Sequence, residues 1–270
     1  MRRRGDRRSG APRAELPKAR RPSPPASRHR SRLPHPEHLE RGETKLSDIR
    51  HTVTGGALIV TADRPFHTVS SSLFGGGCQQ KKYLVNAQVP HGYSSADPWR
   101  DLEQRVHDLG LPIDETAGMM TAADVDQVVE GVAFGDQYCL HTYVTAGVGN
   151  AARAGVRRKT YPGYIAGTIN IIVAIDGRLT EAALINAVIT ITEAKTAALQ
   201  DSGIVIRDGS GRTATGTTTD AVIVAATQSP QYQGIHQYAG LATELGGSIA
   251  DSVYHSLSQC LASAKGGQRQ

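Results

Sequence analysis

Short β-branched apolar runs alternate along this chain with a few longer stretches of helical period. Ala57–Ala62 and Phe66–Ser72 are two such runs. Asp63-Arg64-Pro65 separates them, which predicts two strands joined by a turn. The glycines Gly75–Gly77 after Phe74 predict a tight loop, because glycine adopts positive φ freely. Lys81–Val89 predicts a third strand. Ala96–Gly110 predicts a helix marked at both ends, with Asp97 as N-cap, Pro98 in the first turn and Gly110 past the end. Leu102, Val106 and Leu109 fall on one of its faces. Residues 127–147 predict a hairpin around Gly135-Asp136. Gly167–Asp176 is almost wholly apolar, as a strand buried on both faces would be. From Thr180 to about Gln200 runs the strongest helical pattern. Thr180 is its expected cap, Leu184, Ile185, Val188, Ile191 and Ala194 its expected buried stripe, and Gly203 its stop. Ile204–Ile206 and Asp220–Thr227 predict further strands, and Leu241–Ala264 a last helix loosened by Gly246-Gly247. The order predicts an α+β (mixed α/β) fold, with a single-core mixed β-sheet and three main helices packed on it.

Composition adds a boundary. Residues 1–50 carry 15 Lys/Arg against 6 Asp/Glu, whereas residues 51–270 carry 15 against 19, so the basic character belongs to the first fifty positions. Those positions are rich in Pro and Arg and lack apolar periodicity, which predicts a disordered tail at 1–50 ahead of one folded domain at 51–270. The mildly acidic remainder lacks the basic face that a nucleic-acid binder needs. No apolar stretch of ~7–15 residues follows the arginines after Met1, and no apolar run of ~18 is present, so neither an export signal nor a membrane span is expected. Cys78, Cys139 and Cys260 are sparse and widely spaced, which fits a reducing cytoplasm and offers no paired metal ligands. The close histidine pair His35 and His38 lies in the tail.

Two glycine motifs resemble phosphate loops but miss a required part. Gly147–Ala152 (GVGNAA) has the spacing of a dinucleotide fingerprint, yet Gly155, Pro162, Gly163 and Gly167 interrupt the helix that should follow. Gly211–Thr218 (GRTATGTT) has Thr217 where a phosphate loop needs lysine, and a strand follows instead of a helix.

What remains is a set of Gly/Thr/Asn clusters, most of them abutting an expected strand end. They contain Asn86, Thr121, Thr145, Gly147, Asn150, Gly167, Thr168, Asn170, Thr215, Gly216, Thr217 and Thr219. Amides, hydroxyls and bare glycine backbone donate and accept without charge, which suits a ligand carrying many amides or hydroxyls. Few charges lie near them: Asp220, Glu193 and Lys195. Glu193 and Lys195 are two apart on the long helix and point in different directions. Asp220 sits where a turn enters a buried strand; it is either a base made usable by desolvation or a cap for the turn. His236 and His255 lie downstream, but spacing alone establishes no triad. Ser70–Ser72 are read as turn formers.

Taken in order, NAQVPHGY, GMMTAA, TAGVGNAARAG, GTINIIV, LTEAALINAVITITEAKTAAL and ATGTTTDAVIVA resemble the adenosylcobinamide amidohydrolase family, and FHTVSSSLFGGG resembles its first strand pair. The resemblance spans His51 to Leu261. It implies a hydrolase of corrinoid salvage that cleaves the amide between the aminopropanol arm and the corrin ring of adenosylcobinamide, giving adenosylcobyric acid. It also implies that cobalt arrives within the substrate, so no cofactor and no protein-held metal is expected. The resemblance brings no assigned catalytic residue; from its position Asp220 is given the base role, acting on water or Thr217. Asn150, Asn170 and the Gly216 backbone contact the oxyanion or the carboxamides, with Glu193 and Lys195 behind them. The other readings are a corrinoid carrier without turnover, an amidohydrolase of another amide, and a nucleotide binder.

Overall fold

The computed structural model describes residues 47–157 and 168–267. Residues 1–46, with His35 and His38, and the candidate Gly167 lie outside the described residues. In chain order the elements begin with β1 (Arg50–Thr54), β2 (Ala57–Ser70) and β3 (Gly77–Gln88), followed by α1 (Pro98–Asp108). Next come β4 (Thr116–Thr121), β5 (Val129–Gly135), β6 (Tyr138–Ala146) and the two-residue β7 (Ala151–Ala152). Then follow β8 (Ile169–Gly177), α2 (Glu181–Asp201), the two-residue β9 (Gly216–Thr217), β10 (Ala221–Ala226) and α3 (Glu244–Gly267).

One mixed sheet runs β4-β3-β2-β10-β8-β6-β5, with β1 beside the first half of β2. β3 and β4 are parallel and joined through α1; β8 and β10 are parallel and joined through α2. Each is a crossover in which the helix returns the chain across a sheet face. β7 and β9 form a separate small ribbon.

The sheet is curled. Asn86 on β3 bonds Asn170 on β8 although β2 and β10 lie between them in the pairing order, and the His51 ring on β1 packs 4.9 Å from Tyr143 on β6. Leu58, Val60, Phe66, Leu84, Met119, Tyr143, Ile172 and Ile223 fill the concave side. On the convex side Ile169, Ile171, Val173, Ile175, Val222 and Val224 meet α2 and α3, while Ile59, Val85 and Ala87 meet Leu102 and Val106 of α1. β8 therefore buries both faces, as its apolar run predicts.

Local signals match at the caps. Asp97 accepts a hydrogen bond from the Arg100 amide, Thr180 accepts one from Ala183, and Gly110 and Gly203 take positive φ. Other expectations are corrected. Asp63-Arg64-Pro65 does not end a strand: β2 continues through it, with a register shift against β3 between Thr61 and Phe66 absorbing the extra residues. Thr116–Thr121, not foreseen as a strand, is β4, covered by α1 on one face and the interior on the other. Ile204–Ile206 forms no named strand, only an isolated bridge from Val205 to Thr213. Ile49 is buried in the concave core and β1 starts at Arg50, so the folded chain takes in residues ahead of the expected boundary at 51. In α2 the contact face is Ala183, Leu184, Ala187, Ile191, Ala194 and Ala198, and Ile185 is 51% exposed. By length and composition α2 would pass as a membrane span, yet this face is packed in the core.

One carboxylate is fully enclosed far from the threonine turn. Asp176, near the end of β8, accepts hydrogen bonds from Thr227 Oγ1 and Gln231 Nε2, both at 2.6 Å. Burial pushes its pKa above the ordinary aspartate value of 3.8, and the Thr227 hydrogen bond opposes that only in part. The folded chain thus holds this proton more tightly than the unfolded chain. The group's contribution is most favourable below 3.8, declines as pH rises, and levels off above the raised folded value. Urea midpoints of the parent and Asp176→Asn between about pH 4 and about pH 7 check this; the variant is expected to lose that part of the decline.

Candidate active site

The threonine turn is held by one carboxylate. Asp220 Oδ1 accepts from the Ile169 amide at 3.1 Å, from the Thr217 amide at 3.1 Å and from the Thr217 hydroxyl. Its Oδ2 accepts from Lys195 Nζ and shares the Thr217 amide. The Asp220 and Lys195 side chains are only 12% and 10% exposed, so this ion pair is largely shielded from water. Lys195 comes from α2 and Asp220 from the turn before β10. Gly216 lies between them, where an added Cβ would stand 2.5 Å from Asp220 Oδ2 and 3.0 Å from Lys195 Nζ. The capping reading of Asp220 is thus met by the Ile169 amide and the Thr217 amide and hydroxyl, and the same carboxylate borders on Lys195.

The ribbon of β7 and β9 brings Asn150 alongside. Asn150 Nδ2 donates to Thr218 Oγ1 at 2.8 Å and lies 3.5 Å from Thr219 Oγ1. Asn150 Oδ1 is buried without a hydrogen-bond partner among the described residues. Such a group is costly unless something fills it.

A second polar line crosses the interior. Asn86 Nδ2 donates to Thr145 Oγ1 at 2.9 Å, and Asn170 Nδ2 donates to Asn86 Oδ1 at 2.8 Å and to the Met120 carbonyl at 2.9 Å. The Met120 carbonyl can be met only by the amide nitrogen, which orients Asn170 and, through it, Asn86. Thr168 Oγ1 lies 2.6 Å from the Thr219 carbonyl and 3.3 Å from Asn170 Oδ1. Both amide hydrogens of Asn170 are spent here, which leaves it no free donor for an oxyanion.

Two cavities open beside these lines. One, of about 270 Å³, is lined by Ser71, Leu73, Met119, Met120 and Thr218–Ala221, with Asp220 its one ionisable group. The other, of about 650 Å³, is bounded by Thr145, Gly147, Gly149, His91, Asp124 and Arg207 among others. Thr145 borders the larger cavity and Met120 the smaller, so the Asn86–Asn170 line runs between them.

The remaining candidates divide. Gly147 donates its amide to the Thr168 carbonyl, Thr121 Oγ1 accepts from Ala123, and Thr215 Oγ1 accepts from Ala154, so these support loops. Glu193 is exposed to solvent on α2 while Lys195 turns inward, as their spacing requires. His236 lies near the Gln137 carbonyl and beside Tyr138, and His255 bonds Asp251 on α3; neither is bonded to Asp220. Ser70 and Ser71 satisfy backbone groups of β10. No helix follows Gly147–Ala152 within the described residues, and Gly211–Thr218 leads into β9 and β10. Thr218, absent from the candidates, borders the Asp220 cavity beside the candidate Thr219 and Ser71, and Asn150 donates to its hydroxyl. Among the described residues no group of three or more His, Cys, Asp or Glu is arranged to hold a metal.

The adenosylcobinamide amidohydrolase family model matches residues 41–269. A Methanosarcina mazei protein named adenosylcobinamide amidohydrolase is 34% identical over 215 residues, which cover 76% of this chain and 94% of that one. An uncharacterized protein of Methanocaldococcus jannaschii is 30% identical over 204 residues, covering 68% of this chain and 78% of its own. Among solved structures, a Burkholderia sp. beta-aminopeptidase aligns over 80% of both chains with 13% identity and a TM-score of 0.40, too loose a likeness to carry an argument.

Proposed function

The chain belongs to the adenosylcobinamide amidohydrolase family, and from that premise we propose that it cleaves the amide between the aminopropanol arm and the corrin ring of adenosylcobinamide. The products are adenosylcobyric acid and free aminopropanol, and the reaction serves corrinoid salvage. The observation that carries this reading is the single shielded carboxylate in a cavity otherwise lined by the hydroxyl residues Ser71, Thr218 and Thr219 and the apolar Leu73, Met119, Met120 and Ala221. A corrin rim is decorated with carboxamides. Asn150 Oδ1, without a partner among the described residues, is an acceptor of the kind that a carboxamide N–H would fill.

Asp220 borders the cavity and Thr217 does not, which favours water over Thr217 as the attacking oxygen. Among the described residues Oδ2 accepts from Lys195 and shares the Thr217 amide, while Oδ1 accepts from three donors, so Oδ2 is assigned to that water. The water gives a proton to Asp220 and its oxygen bonds to the amide carbon. The carbonyl becomes an oxyanion, facing the Thr218 hydroxyl that Asn150 orients. A well-placed donor of this kind is worth ~2.7–4 kcal/mol of barrier. Collapse of the intermediate re-forms the carbonyl and breaks the C–N bond, and the leaving nitrogen takes the proton that Asp220 holds. Lys195 keeps the carboxylate in place. Cobalt arrives coordinated within the substrate, so no step asks the chain for a metal. The unpaired Cys78, Cys139 and Cys260 support a reducing compartment such as the cytoplasm.

One observation favours a carrier without turnover: Asp220 already accepts hydrogen bonds at both oxygens, as a purely structural cap would. Incubation with adenosylcobinamide, followed by chromatography for aminopropanol and adenosylcobyric acid, separates the two. Release of both is the expected result. Tight binding with neither released would establish the carrier, and equal cleavage of simple amides would move the substrate elsewhere.

A further inference from the structure

We infer that Asn170 is a positioning residue that determines specificity: it sets the width of the Asp220 cavity, and hence the size of amide arm admitted, without touching the substrate. The inference rests on the hydrolase reading above. The smaller cavity has two walls, Met119–Met120 at the end of β4 and Thr218–Ala221 ahead of β10. The sheet does not join them directly, because β3 and β2 lie between β4 and β10 in the pairing order. Their separation depends on how tightly the sheet curls, and side chains crossing the interior set that curl.

Asn170 is the crossing point. It sits on β8 opposite Ala221 of β10, so its backbone belongs to the second wall. Its Nδ2 reaches the first wall at the Met120 carbonyl, 2.9 Å away. Its Oδ1 faces the Thr168 hydroxyl, which also meets the carbonyl of Thr219 in the second wall. Asn86 anchors the same nitrogen from β3 and is itself tied to Thr145 at the larger cavity. Asn170 is 1% exposed and Asn86 2%, so water cannot substitute freely for either. The position calls for two donors on one atom and an acceptor on the other. Asparagine supplies that set; aspartate lacks the donors and serine lacks the second one.

Loss of Nδ2 releases the Met120 wall, and a looser wall discriminates less between arms. The test compares kcat and KM of the parent and Asn170→Ser on two amides of adenosylcobyric acid, one bearing aminopropanol and one bearing benzylamine. Thermal midpoints and circular dichroism correct for the folded fraction. The expected result is a fall of about tenfold or more in the kcat/KM ratio favouring aminopropanol. Asn86→Ser, which removes the anchor but not the tie to the wall, is expected to move the ratio the same way and less. It carries the test if Asn170→Ser does not fold. An unchanged ratio in folded variants of an active parent overturns the positioning role and leaves the hydrolase reading standing. A parent that cleaves neither amide removes both.

Discussion

Asp220→Asn is expected to lower kcat on adenosylcobinamide by about 10²–10⁴-fold, the usual span for losing a general base. KM should move far less, because the walls of the cavity are otherwise unchanged. The variant will also be less stable. Lys195 Nζ, on a side chain 10% exposed, would lose its carboxylate partner. Breaking a buried pair from one side costs up to about 3–5 kcal/mol. Stability and chemistry are therefore mixed in the single variant, and Asp220→Asn with Lys195→Met unmixes them. The double variant no longer buries a lone ammonium, so its urea midpoint should return toward that of the parent. Its turnover should stay low, since no carboxylate is left to take the proton. A folded Asp220→Asn protein that cleaves at the parent rate would end the base assignment and leave Asp220 as a cap.

Gly216→Ala should damage the same centre by steric means. The added Cβ would stand 2.5 Å from Asp220 Oδ2 and 3.0 Å from Lys195 Nζ. Lysine can yield, because that atom is the end of a flexible chain. The carboxylate yields only at a cost, because the Ile169 amide, the Thr217 amide and the Thr217 hydroxyl hold it. It must rotate and give up part of that set. Overpacking of this kind costs about 1–3 kcal/mol, and turnover should fall with the displaced base. Thermal or urea unfolding, with kcat measured alongside, checks both effects. In a Lys195→Met background the stability penalty should shrink, since the ion pair is then already gone. Such a cycle reads the coupling directly. Additive penalties would show that Gly216 matters for its backbone instead.

The fold was largely legible where the physics is local. Asp97, Pro98 and Gly110 mark α1 because caps and φ preferences act within a turn of the chain. The misses have equally physical causes. Ile185 was expected in the core because it is apolar, yet α2 approaches the sheet through Ala183, Ala187 and Ala198, whose small side chains permit close contact. Hydropathy ranks isoleucine above alanine and is blind to that closeness. β4 was missed because TAGMMT has no β-branched run; its neighbours make it a strand. Of the candidate site, the threonine turn and Asp220 were visible as a local anomaly. Thr218 and Thr219 both line the cavity and Thr217 does not, a distinction that adjacent threonines do not show in sequence.

The sequence by itself determined the caps, the doubly buried β8, the acidic body behind a basic first segment, and the ordered motifs that identify the family. Only the tertiary structure decided that Lys195 meets Asp220 across 25 positions and Asn86 meets Asn170 across 84. Caps and strand preference are set by neighbours a few bonds away. Which polar groups meet inside a curled sheet depends instead on strand order and register, and these emerge from packing the whole chain at once.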